Sequence, residues 1–128
     1  MEPILINGTS KTPAVKFDLI QGIIEIKGRS NPDHSMEFYK PLMDWLEEYE
    51  KNPKDKIIVN IHLEHFNTSS SKCLLEFFKK LEDIYKARHE VEVNWHYEKD
   101  DENIHVAGED YKYLIGIPFN LIETIDIE

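Results

Sequence analysis

Asn67-Thr68-Ser69-Ser70-Ser71 places an amide and four hydroxyls in one unbroken run. Side chains of these types can cap a helix, accept an anion, carry a phosphate, or serve as a nucleophile beside a base. Upstream, Ile57, Val59, Ile61 and Leu63 alternate with Ile58, Asn60 and His62, as in a half-buried strand. Downstream, Leu74, Phe77, Phe78, Leu81, Ile84 and Tyr85 recur at three and four residues, as on one helix face. The run therefore sits at a helix start, where N–H groups lack intrahelical acceptors and the positive dipole end is exposed. One cap consumes one side chain. The surplus leaves a hydroxyl to face outward, where a phosphate would be tolerated by the helix N-terminus.

The other candidate chemistry is thinner. His62 and His65 lie three apart, on opposite faces of a regular strand, and share no ion unless the chain bends. His96 points to the polar side between Trp95 and Tyr97, while His34, His89 and His105 fall in or near loops and helix ends. No HExxH, GxSxG, P-loop or dinucleotide fingerprint occurs, and the five glycines are scattered. Asp100, Asp101 and Glu102 read as a solvated turn; Asp44, Glu47, Glu48 and Glu50 read as the wet side of a helix. No metal site, cofactor or enzymatic centre is expected.

The elements that position the seam are legible in outline. Strands are expected at Ala14 to Asp18 and Ile23 to Lys27, joined as an antiparallel hairpin, then at Lys56 to Leu63, Glu90 to Tyr97 and Pro118 to Ile125. Helices are expected from Ser35 to about Lys51, bending at Pro41, from Ser70 to about Arg88, and over Ile104 to Leu114, where Gly108 weakens the pattern. Met36, Tyr39, Leu42, Met43, Leu46 and Tyr49 should share the buried face of the first helix. Strand, long helix and strand over residues 56–97 form a crossover unit, which pairs its strands in parallel. Because the strands alternate, one sheet face should be covered by helices and the other wet. The expected fold is a two-layer α/β domain with a mixed sheet, one domain over residues 1–128.

Composition narrows the partners. The chain has 128 residues, 41% of them hydrophobic, and a net charge of −10 from 25 acids and 15 bases. No basic stripe is present, so nucleic acid and anionic membranes are not expected partners. Cys73 is the only cysteine, which excludes an internal disulfide, and a small half-buried residue is expected there. No segment has the ~20 apolar residues of a membrane span, and the N-terminal residues lack the charge-then-apolar order of a secretory signal. A cytoplasmic location is the simplest reading.

Four segments in order resemble the SiaC family of bacterial regulatory phosphoproteins, which in turn resemble SpoIIAA-type anti-sigma-factor antagonists of the STAS fold. They are Thr12-Pro13-Ala14, Asn31-Pro32-Asp33-His34-Ser35 ahead of the helix with Asp44-Trp45, Asn67-Thr68-Ser69-Ser70, and Trp95-His96-Tyr97. The resemblance spans nearly the whole chain and implies a STAS-like fold and a switch, not an enzyme. It implies phosphorylation of Thr68 by a dedicated kinase, reversal by a PP2C-type phosphatase, and binding of the unphosphorylated form to a diguanylate cyclase in cyclic-di-GMP signalling. The antagonists carry Asp-Ser followed by small residues; here Asn67 replaces that Asp and Ser70 stands where Gly is common.

Under this reading the start of the second long helix docks the partner. Asn67, Ser69 and Ser70 are expected to supply polar contacts, and Leu63 and Phe66 apolar area. Three alternatives remain at this level: an antagonist-like partner switch with a different output, a small hydrolase pairing a seam hydroxyl with His65 or His96, and a scaffold whose seam only caps a helix.

Overall fold

The computed structural model describes residues 2–124. The elements are β1 (Ile4–Ile6), β2 (Ala14–Asp18), β3 (Ile23–Ser30), α1 (Ser35–Lys51), β4 (Lys56–Phe66), α2 (Thr68–Lys86), β5 (Glu90–Glu98), α3 (Glu102–Leu114) and β6 (Phe119–Thr124). They build one six-stranded sheet in chain order, β1-β2-β3-β4-β5-β6. β1, β2 and β3 pair antiparallel; β3 through β6 pair in parallel. Each parallel step carries one helix and moves one strand in the same direction. Crossovers of one hand then stack α1, α2 and α3 on the same face.

Register makes the two faces explicit. Ile4, Phe17, Ile24, Val59, Val93 and Phe119 form a row across all six strands. Five of the six are buried, and Ile4 packs against them. The adjoining row on the other face starts at the exposed Leu5 of β1 and runs through Lys16, Glu25, Asn60, Asn94 and Asn120, all polar. There Asn94 Nδ2 donates to Asn60 Oδ1, and Asn120 Nδ2 to Asn94 Oδ1, each at 3.0 Å. The alternation of the strands thus marks one helix-covered face and one wet face, as expected.

The covered face is filled from the helices by Leu42, Leu46, Leu74, Phe77, Phe78 and Leu81, all fully buried or nearly so. Side chains of this size gain about 1.5–3 kcal/mol each on burial, which makes this layer the main source of stability. Trp95 lies at the centre of the α3 end, its Nε1 donating to Ile104 O at 2.9 Å. Gly108 faces that ring: a Cβ there would overlap Trp95 and come within 2.9 Å of Leu121 Cδ2. The glycine that weakens the helix pattern is what lets α3 lie against the sheet.

Several boundaries differ from expectation. β1, three residues long, carries no periodic signal and lies outside the expected strands. β3 continues past Lys27 to Ser30, through Gly28 at φ +117°, where the pairing with β4 shifts register between Gly28 and Arg29. Opposite that shift, Glu64 is skipped, so Leu63 and Phe66, three residues apart, both reach the covered side. α2 starts at Thr68, two residues before the expected Ser70, and α3 at Glu102. α1 runs from Ser35 without interruption through Pro41. Pro41 and Glu37, whose carbonyl loses its donor, are both exposed, so water can satisfy that carbonyl. Met36, assigned to the buried face, is 79% exposed. Ile125, the expected end of the last strand, lies outside the described residues.

Candidate functional site

Asn67 caps α2. Its backbone is extended, and its Oδ1 accepts from Ser70 N at 2.8 Å. The same oxygen accepts from Ser69 Oγ at 3.2 Å and from Ser35 Oγ at 3.4 Å. Its Nδ2 donates to Asn31 Oδ1 at 3.0 Å and to Pro32 O at 3.3 Å. A single amide thus closes the start of α2 and grips the loop that leads into α1.

The serines of the run are all engaged. Ser70 Oγ donates to Ser30 O at 3.1 Å and accepts from Ser30 Oγ at 2.8 Å; Ser30 Oγ in turn lies 2.6 Å from Tyr39 Oη. Ser69 Oγ lies 2.7 Å from Ser35 Oγ. Ser71 Oγ lies 3.2 Å from Tyr111 Oη, which donates to Ser71 O at 2.9 Å. Burial pushes the Tyr39 phenol up to about 12 and raises that of Tyr111, so both remain neutral donors. These groups tie β3, α1, α2 and α3 together, and no buried side-chain nitrogen or oxygen among the described residues lacks a partner.

Thr68 is different. It is the first residue of α2 and is exposed, and among the described residues no hydrogen bond involves its hydroxyl. The surplus hydroxyl anticipated from the run is therefore Thr68. Ser35, the first residue of α1, and Ser69 touch, so the two helix starts converge beside it. Nothing in His34, the N-cap position of α1, closes that helix with a side-chain bond.

Two of the five expected contact residues cannot reach a partner from where they stand. Ser70 is fully buried and Leu63 is 2% exposed. Ser70 is turned inward by its bonds to Ser30, and Leu63 lies on the covered face of β4. Both position the seam from within. Asn67 and Phe66 are half-buried and Ser69 is exposed. Beside the seam, Met36, Tyr39, Met43 and Cys73 line a groove of about 490 Å³ between α1 and α2, edged by Glu37 and Glu76. On the other side, Phe66, Leu75, Ala107 and Leu114 line a hollow of about 250 Å³ between α2 and α3. The exposure of Met36, contrary to its periodicity, builds the first of these. Cys73 is half-buried, as expected, and burial followed by the nearby Glu76 raises its thiol, the opposite of nucleophile activation.

His96 lies on the wet face, its ring 5.7 Å from that of His62. Among the described residues no hydrogen bond joins a seam hydroxyl to a histidine, and no group of three or more His, Cys, Asp or Glu is placed to hold a metal ion. His62 Nε2 instead pairs with Glu98 Oε2 at 2.8 Å. That hydrogen bond is the main cause holding the Glu98 carboxyl below its usual value. No helix of the described residues is long and apolar enough to cross a membrane.

The fold, a STAS-like α/β layer pair, has close counterparts. SiaC of Pseudomonas aeruginosa superposes with a TM-score of 0.89 at 26% identity, over 97% of this chain and 100% of that one. The SiaC-matching chain in the crystal structure of the diguanylate cyclase SiaD with its activator SiaC, also from Pseudomonas aeruginosa, gives 0.90 at 26% identity, over 94% and 99%. An uncharacterised protein of Pseudomonas aeruginosa strain UCBPP-PA14 is 28% identical over 93% of this chain and 94% of its own length. The model of the SiaC family regulatory phosphoproteins matches residues 6–124. The chain belongs to the SiaC family of regulatory phosphoproteins.

Proposed function

We propose that this protein is a cytoplasmic, non-enzymatic switch in which reversible phosphorylation of Thr68 controls docking to a diguanylate cyclase. The observation that carries this reading is the state of the seam: Ser69, Ser70 and Ser71 are bonded, and the Thr68 hydroxyl stands exposed at the helix start. A kinase meets that hydroxyl without breaking a bond. The complex of the SiaC relative with the diguanylate cyclase SiaD supports the choice of partner. A dedicated kinase and a PP2C-type phosphatase complete the cycle.

The half-buried Asn67 and Phe66 and the exposed Ser69 form the accessible part of the docking surface around Thr68. A phosphate there adds about −1.5 to −2 charge to a chain already at −10. The helix dipole favours that charge by about 0.3–1 kcal/mol. Burying it unpaired against a partner costs several kcal/mol. The second effect is larger, so the phosphate blocks docking and leaves the fold intact.

Intact-mass measurement and phosphopeptide mapping of the protein from its own cells test the modification. Phosphate on Thr68 is expected. A chain that stays unmodified when kinase and phosphatase activities are varied would reduce Thr68 to an ordinary first-turn residue and the protein to a constitutive binder.

A further inference from the structure

The Thr68 site and the entrance to α1 share one side chain. Asn67 Nδ2 holds Asn31 Oδ1 and Pro32 O, while Asn67 Oδ1 is held by Ser70 N, Ser69 Oγ and Ser35 Oγ. An amide oxygen has two lone pairs, so three donors leave the longest bond, from Ser35, the weakest. Apart from Asn67, the loop and the start of α1 are held by Asn31 N on Lys11 O, Phe38 N on His34 O, the buried ring of Pro32, an exposed Lys11–Asp33 ion pair and the contacts of Ser35 Oγ with Ser69 and Ser70, while no side chain caps α1.

A phosphate on Thr68 would stand in the same turn as two of those three donors. A dianionic oxygen draws N–H and O–H donors more strongly than a neutral amide oxygen does. Ser69 Oγ–H and Ser70 N–H are therefore the groups it would take from Asn67. An amide deprived of these two donors keeps only the long contact from Ser35 on its oxygen, so its plane is fixed less firmly and its hold on Asn31 and Pro32 weakens.

We propose that Asn67 is a latch, a positioning residue through which phosphorylation of Thr68 loosens the Asn31–Ser35 loop and the first turn of α1. This rests on Thr68 being the modified residue. The surface the partner meets then includes the start of α1, and the phosphate alters it at two places: by charge at Thr68 and by release at the loop. The amide, and not merely a cap, is what the latch requires. Asp at this position would cap α2 equally well but has no N–H to give Asn31 or Pro32.

The test is amide hydrogen exchange on the full chain, with phosphothreonine placed at position 68 during synthesis so that no kinase is needed. The N–H groups of Asn31 and Phe38 are expected to exchange about tenfold faster with the phosphate, the loss of one or two hydrogen bonds. Val93, bonded to Pro118 O in the sheet, should not change. Asn67→Asp without phosphate should loosen the same loop while the first amides of α2 stay protected. Unchanged Asn31 and Phe38 exchange in the phosphorylated chain would overturn the latch, as would unchanged loop protection in Asn67→Asp. Cyclase binding measured on the same samples separates the two ideas. Lost docking with a tight loop removes the latch and keeps the switch; a loosened loop with undiminished docking keeps the latch and removes the switch.

Discussion

Ser35 Oγ and Ser69 Oγ stand 2.7 Å apart, joining the first turn of α1 to the first turn of α2 across 34 residues of sequence. The contact brings two helix N-termini to one place beside Thr68. It also explains why a run of hydroxyls is needed there. Each serine has a separate partner in a different element, and only the threonine is left over.

Thr68 should be nearly irrelevant to stability. It makes no side-chain hydrogen bond among the described residues and is exposed, so Thr68→Ala should change unfolding free energy by less than about 0.5 kcal/mol. Urea denaturation followed by far-UV circular dichroism checks this. A loss of 2 kcal/mol or more, on the order of a strong cap, would mean the hydroxyl is a structural group.

Tyr39→Phe should cost about 1 kcal/mol, the usual net worth of one hydrogen bond. It removes the buried hydroxyl that meets Ser30, yet leaves Ser30 bonded to Ser70. The same denaturation series reads it out. No effect at all would show that the Ser30–Ser70 pair carries the junction alone.

Gly108→Ala should destabilise the protein, although alanine is the better helix former by about 1 kcal/mol. The new methyl would overlap the Trp95 ring and crowd Leu121. Overpacking of this kind costs about 1–3 kcal/mol. Tryptophan fluorescence should shift with it, since Trp95 must move. An increase in melting temperature would contradict the packing of α3 on β5.

Stability should fall with acidification in two steps. Burial, with His62 and Lys27 nearby, holds the His96 imidazole below its usual 6.5. The folded state then binds fewer protons than the unfolded chain, so its contribution is complete above about pH 6.5 and is lost as pH falls through the folded value. Glu98, lowered chiefly by its hydrogen bond to His62, behaves likewise below its usual 4.5. Glu25 and Lys27 are the other charged groups lining that part of the wet face. Urea midpoints from pH 8 down to about pH 3 should show both declines, with His96→Gln flattening the upper one and Glu98→Gln the lower. A midpoint that rose on acidification from pH 7 to 5 would reverse the assignment.

The layered fold was legible because its strands alternate and its long helices repeat at three and four residues. Val91, Val93, Trp95 and Tyr97 face the core, as their period requires, and β4 pairs β5 in parallel. Period fails where register slips. The skipped Glu64 turns Phe66 to the side of Leu63, and the alternation that identifies the strand cannot foresee that. β1 is too short to have a period. At the site, the cap and the surplus hydroxyl follow from residue type and position. The inward turn of Ser70 does not, because Ser30 and Ser35 reach the seam from elements 34 to 40 residues away. The burial of Leu63 follows from the same alternation that buries Ile57, Val59 and Ile61, which its use as a contact residue overlooked.

The decisive measurement is the affinity of a diguanylate cyclase from the same organism for this chain with threonine, and with phosphothreonine, at position 68. Tight binding of the unmodified chain and at least a tenfold weaker complex with the phosphorylated one are expected, at equal melting temperature. Equal affinity of the two forms would contradict the switch.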